Sequence, residues 1–154
     1  MALASLAQLP TVADRIIIGP IEVENRPDNA IVLLVEDEWL VRMEMADALT
    51  EAGFAVIEAG SGEAALDLLA RGQHIDLLVT DIRLGGGISG WNVAAVARDG
   101  DPNLPVVYAS ANPPDKARMV EGSAFLDKPS RTDLLLSTCA RLLAECRSGG
   151  TVGK

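Results

Sequence analysis

The sequence predicts an α/β domain in which an open five-stranded parallel sheet is wound with helices on both faces. Three observations predict it. From Ile31 onward, short apolar runs of strand length alternate with stretches of helical length, the pattern that right-handed βαβ crossovers produce. Apolar residues make up 49% of the chain but aromatics only 3%, so the core is built from Leu, Val, Ile and Ala, as in helices packed on a parallel sheet. The length, 154 residues, suits one domain around one core.

Residues 1–29 stand apart as an N-terminal extension. Pro10, Pro20 and Pro27 break it, Arg15-Ile16-Ile17-Ile18-Gly19 reads as a short extended piece, and the run from Glu22 to Asn29 reads as a polar linker. The domain proper spans residues 30–147. Its first strand is the continuous apolar run Ile31-Val32-Leu33-Leu34-Val35, buried on both faces. A helix follows over Glu38–Ala52, stopped by Gly53, and then a strand over Phe54–Ala59. Ser61 caps a helix over Gly62–Ala70, which Gly72 ends. The third strand, Asp76–Thr80, runs into Asp81 and the loop Gly85-Gly86-Gly87-Ile88-Ser89, before a helix over Trp91–Arg98. The fourth strand, Pro105–Ala109, leads to Ser110. A short helix over Pro114–Val120 precedes the fifth strand, Ala124–Asp127, and Ser130 or Thr132 caps a last helix over Asp133–Arg147. The tail, residues 148–154, reads as flexible.

The formal charge of −9 repels phosphate backbones and anionic lipid, which argues against nucleic acid or membrane surfaces as partners. No apolar run approaches the ~18 residues of a membrane span, and residues 1–10 lack the basic start of a secretory signal. Cys139 and Cys146 form no disulfide framework and suit a reducing compartment. The expected location is the cytoplasm.

Open α/β sheets bind ligands beyond the carboxyl ends of their strands. There the first strand brings Glu36 and Asp37, the third Asp81, the fourth Ser110 and the fifth Lys128, while the second, ending in Glu58-Ala59-Gly60, is set aside at the sheet edge. Three neighbouring carboxylates repel one another, and a hard divalent cation such as Mg²⁺ relieves that repulsion. One carboxylate is then free to attack phosphorus and form an aspartyl phosphate. Lys128 supplies a compact positive charge for a phosphoryl oxygen and Ser110 a hydroxyl for another. Catalysis in such a site is mostly positioning and charge neutralisation. Singly, each residue has a structural explanation as a cap or a solvated loop residue. Complementary groups at four of five strand ends make the coincidence informative.

Val35-Glu36-Asp37-Glu38, Thr80-Asp81-Ile82-Arg83-Leu84, Tyr108-Ala109-Ser110-Ala111 and Phe125-Leu126-Asp127-Lys128-Pro129 together resemble the receiver domains of two-component response regulators, from about Ile31 to Arg147. The resemblance implies a flavodoxin-like (βα)5 fold with strand order 2-1-3-4-5 and a stand-alone signalling domain. Its chemistry would be confined to its own phosphorylation and dephosphorylation. Asp81 matches the phosphoacceptor, served by a histidine kinase or phosphotransfer protein. Glu36, Asp37, Asp81 and the backbone carbonyl of Arg83 match the ligands of Mg²⁺ (or Mn²⁺). Lys128 and Ser110 match the groups that meet the phosphoryl oxygens, and Ser110 and Phe125 the residues that move on activation. The output implied is a conformational change read by a partner protein whose identity the sequence does not give.

Several residues depart from the usual pattern. Glu36 stands where many members carry Asp, and Gly85 where Pro is common. The stretch from Ser110 to Lys128 is short, and Asn112-Pro113-Pro114 predicts a late, short fourth helix. Trp39 and Trp91 are expected to pack on helix surfaces, with a place for Trp39 at the mouth of the site as the other reading. His74 is expected in solvent. Two other functions share the acceptor geometry. A haloacid-dehalogenase-like phosphohydrolase wants a second Asp where Arg83 stands. An unphosphorylated pseudo-receiver would not need Glu36, Asp37, Asp81, Ser110 and Lys128 together. A phosphorelay intermediate remains a variant of the main reading.

Overall fold

A computed structural model describes residues 29–152, so the expected N-terminal extension, apart from Asn29, lies outside the described residues. The element order is β1 (Ile31–Val35), α1 (Trp39–Glu51), β2 (Ala55–Ala59), α2 (Gly62–Ala70), β3 (Leu77–Thr80), α3 (Gly90–Gly100), β4 (Val106–Ser110), β5 (Ala124–Asp127) and α4 (Thr132–Val152). All strand pairs are parallel, in the order β2-β1-β3-β4-β5. The strand order is the one expected, and each observed element lies within a few residues of its predicted place.

The period-two alternation of strand side chains sorts the core into two layers. Val32, Leu34, Leu77, Val79 and Val107 face α1 and α4, meeting Leu49 from the first and Leu135, Cys139 and Leu142 from the second. Leu33, Val35, Leu78, Val106 and Tyr108 face α2 and α3, meeting Ala65, Val93, Ala94 and Ala97. Most of these strand residues are fully buried, which is why β1, β3 and β4 read as unbroken apolar runs. Helix starts follow local chemistry. Ser61 Oγ accepts the Ala64 N–H at 3.0 Å. Ser89 and Asn92 form a reciprocal capping box.

One expectation fails. No helix forms between β4 and β5: residues 111–123 hold only turns. Pro113 keeps Asn112, and Pro114 keeps Pro113, out of the helical region. The segment closes instead by short bonds, with Arg118 N–H donating to Asp115 O at 2.9 Å and Ala117 N–H to the Asp115 carboxylate at 3.2 Å. The sheet is therefore covered by four helices among the described residues rather than five. At the other end the last helix continues past its expected end at Arg147. The last helix runs through Val152, so most of the expected flexible tail is helical. Gly149 and Gly150 are poor helix formers but no barrier to a helix already nucleated by packing upstream. Ser130 does not cap this helix; its hydroxyl donates to Asp127 O at 3.2 Å.

Candidate functional site

The sheet register levels the carboxyl ends of the central strands. Val35 pairs with Ala59 on one side and Thr80 on the other, and Ser110 pairs with Asp127. The next residue after β1, β3 and β5 is therefore a site residue (Glu36, Asp81 and Lys128), and Ser110 is itself the last residue of β4. Asp81 N–H donates to Val35 O at 3.0 Å, Glu36 N–H to Ala59 O at 3.1 Å and Lys128 N–H to Ser110 O at 3.0 Å. Backbone bonds thus fix where each functional side chain starts.

The side chains converge. Lys128 Nζ donates to Asp81 Oδ2 at 3.1 Å and also contacts Glu36 Oε2. Asp81 Oδ1 accepts its neighbour's N–H, from Ile82, at 2.7 Å, and Glu36 Oε1 accepts that of Glu38 at 3.1 Å. Asp37 is exposed, and its Oδ2 accepts the Gly85 N–H at 3.0 Å. One carboxylate oxygen each from Glu36, Asp37 and Asp81 lies within 4.8 Å of the other two. Three acidic groups and one ammonium leave an excess of negative charge in a partly buried site. That donor set, all carboxylate oxygen, fits a hard divalent cation such as Mg²⁺.

Burial shapes the electrostatics. Glu36 is 2% exposed; burial raises its carboxyl above the usual range, against the opposing pull of the Lys128 hydrogen bond. For Lys128, burial works to lower the ammonium, and the hydrogen bond to Glu36 together with the charges of Asp81 and Glu36 outweighs it. The lysine is therefore held above its ordinary value and charged at neutral pH.

Ser110 is fully buried, and its hydroxyl accepts the Asn112 N–H at 3.2 Å, so it serves its own loop. Phe125 is partly buried in the layer containing Tyr108 and Trp91. Arg83 is exposed, between the buried anchors Ile82 and Leu84. Trp39 is 63% exposed at the start of α1, so it does not pack down on the helix surface. Trp91 does pack, with its ring 5.0 Å from that of Tyr108. His74 is exposed and bonds Asp76 at 3.0 Å. Both cysteines are free thiols, Cys139 in the core.

Three supporting residues escaped the reading of the sequence. Arg42 Nη1 donates to Glu36 O at 2.7 Å while its Nε pairs with Glu58 at 3.1 Å, clamping the acidic turn to the end of β2. Its signal was its place one helical turn after Glu38, on the face of α1 that looks back at the strand ends. Thr80 Oγ donates to Asp81 O at 2.8 Å. Gly90, the first residue of α3, donates its N–H to Ile82 O at 2.8 Å, and a Cβ there would overlap the Asp81 carbonyl. Only glycine lets the helix start that close to the strand end.

Residues 32–140 match the family described as the response regulator receiver domain. A crystal structure of a response regulator receiver protein from Sinorhizobium medicae superposes with a TM-score of 0.74 at 36% identity, covering 77% of this chain and 98% of that one. The response regulator protein FleR of Pseudomonas aeruginosa is 35% identical over 73% of this chain and 24% of its own length. The sensor kinase CckA of Brucella abortus is 33% identical over 75% of this chain and 13% of its own length. The chain thus spans a quarter or less of these two relatives. No helix among the described residues is long and apolar enough to cross a membrane.

Proposed function

The chain belongs to the response regulator receiver domain family of two-component signalling, and from that membership we propose that Asp81 accepts a phosphoryl group from a histidine kinase or a phosphotransfer protein. The observation that carries the reading is the position of Lys128 Nζ, which joins Asp81 and Glu36 at the carboxyl edge of the sheet beside Asp37. A carboxylate oxygen of Asp81 attacks the phosphorus of a phosphoimidazole. The P–O bond forms as the P–N bond breaks, and the electron pair leaves with the imidazole nitrogen.

Glu36, Asp37, Asp81 and the Arg83 carbonyl would hold Mg²⁺ (or Mn²⁺), which when bound neutralises negative charge on the phosphoryl oxygens. The chain's own residues do the rest. Ile82 N–H and Lys128 orient the Asp81 carboxylate. Lys128, charged and already within reach of that carboxylate, moves to a phosphoryl oxygen once Asp81 is phosphorylated. The Ser110 hydroxyl leaves Asn112 for another phosphoryl oxygen, and the segment after β4 shifts with it. Phe125, next to that segment in the same layer, repacks. The result is a two-state surface biased by one covalent event and read by a protein partner. The chemistry is confined to the protein's own Asp81, with no direct role for nucleic acid or membrane.

Intact-mass spectrometry after incubation with acetyl phosphate and Mg²⁺, and separately with a phosphorylated histidine kinase, tests this. The native chain gains one phosphoryl group in a Mg²⁺-dependent manner, and Asp81→Asn gains none. A native chain inert to both donors, or an adduct that persists in Asp81→Asn, rejects the reading.

A further inference from the structure

The loop after Asp81 contains three consecutive glycines, Gly85-Gly86-Gly87, the residues that lose most conformational freedom when ordered. It is nevertheless held at two points by carboxylates. Asp37 Oδ2 accepts the Gly85 N–H at 3.0 Å. Glu63, in the first turn of α2, accepts the Gly87 N–H through Oε2 at 3.2 Å. Gly86, at φ 95°, brings the loop so close to Glu63 that a Cβ would stand 3.2 Å from both carboxylate oxygens. The start of α2 touches the loop a second time, because a Cβ on buried Gly62 would meet Ile88 Cβ at 2.6 Å.

Upstream, Ile82 and Leu84 are anchored in the core. Downstream, the Gly90 N–H is tied to Ile82 O at 2.8 Å. Between them, the carboxylates that hold the loop backbone are Asp37 and Glu63, and Asp37 belongs to the carboxylate cluster. Glu63 does not. It is the anchor whose carboxylate is free of other duties at the site.

We propose that Glu63 is a positioning residue for the metal site, holding the Gly85–Gly87 loop so that Gly85 fixes the Asp37 carboxylate. This rests on the reading of the carboxylate cluster as a Mg²⁺ site. A residue bonded directly to a metal ligand typically contributes ~10–100-fold in affinity. Glu63 acts at one further remove, through Gly87 and Gly85, so its removal weakens Mg²⁺ binding about 3- to 10-fold.

The test uses the full chain in three forms: native, Glu63→Ala and Glu63→Gln. MgCl2 is titrated calorimetrically, and amide exchange at Gly85 and Gly87, the two loop N–H groups bonded to carboxylates, is followed by NMR in metal-free protein. Glu63→Ala is expected to lose Mg²⁺ affinity and to speed exchange at both glycines. Glu63→Gln, whose amide oxygen still accepts the Gly87 N–H, recovers most of both. Glu63→Gln behaving like Glu63→Ala overturns the proposal, because the effect would then be one of charge on the cation and not of loop position. A native chain that binds Mg²⁺ no better than Glu63→Ala overturns it while leaving the metal site standing. A native chain that binds no Mg²⁺ at all removes both the proposal and the reading beneath it, even if exchange at Gly85 and Gly87 still rises in Glu63→Ala.

Discussion

The two halves of the sheet are connected by different means. From β1 to β2, from β2 to β3 and from β3 to β4 the chain returns through α1, α2 and α3, whose backbone bonds are internal. From β4 to β5 it returns through residues 111–123 with no helix. The second route borrows its bonds from elements already in place. The buried Tyr108 hydroxyl accepts the Val120 N–H at 3.2 Å. Arg98 on α3 donates to Glu121 O at 2.7 Å, and the Arg118 guanidinium lies 5.4 Å from the Trp91 ring centroid. A crossover can therefore be made without a helix if side chains of neighbouring strands and helices satisfy its backbone. Its order then depends on the core, against which its Met119 and Val120 pack. Such a segment belongs to the low-stability end of the molecule.

The comparison can be broken most forcefully in the half built on helices. Leu78 in β3 is fully buried against α2 and α3, and Leu78→Ala should cost about 3–4 kcal/mol in urea unfolding, with exchange rising throughout the sheet. A cost near zero would mean that the helix-covered half is not the seat of stability. In the other half, Tyr108→Phe removes one hydroxyl and keeps the ring. Its global cost should be about 1 kcal/mol, with accelerated amide exchange concentrated around Val120 and little change in β1 or β3. Uniform acceleration would show that the segment opens only with the whole domain.

A third test, confined to alkaline pH, reads the buried thiol of Cys139. Burial in the α1–α4 layer pushes Cys139 up to about 12 from an ordinary 9.0. The native state keeps that proton through a window in which the unfolded chain has lost it, so stability falls as pH rises from about 9 toward 12. Cys139→Ala should flatten that alkaline slope by up to about 1.4 kcal/mol per pH unit, measured as urea midpoints on either side of pH 9. An unchanged slope would put Cys139 outside the sealed layer.

Most of the fold was legible because periodicity and punctuation agreed. β1 and α2 begin and end where apolar runs, Ser61 and the residues before Gly72 place them. The strand ends that carry Glu36, Asp37, Asp81, Ser110 and Lys128 were legible for the same reason, since each is the last residue of an apolar run or lies just beyond it. Two kinds of information were not. The Pro113-Pro114 pair announced a short helix, but whether any helix survives depends on tertiary bonds from Tyr108 and Arg98, which no local pattern contains. The roles of Arg42, Glu63 and Gly90 were hidden too, because each acts on a residue of another element through space.

One contact has a consequence for how the protein is made. Glu36 and Lys128, joined side chain to side chain, lie 92 positions apart in sequence. A ribosome releases the acidic residues early, and the lysine that balances them emerges only with β5, the sheet's last strand. Until then the carboxylates have no internal counterion, and parallel pairing over such a separation is slow to form. A nascent or clipped chain that lacks β5 therefore carries Asp81 without the ammonium that orients it. The ammonium that joins Asp81 to Glu36 is therefore in place only once the last strand has closed the sheet.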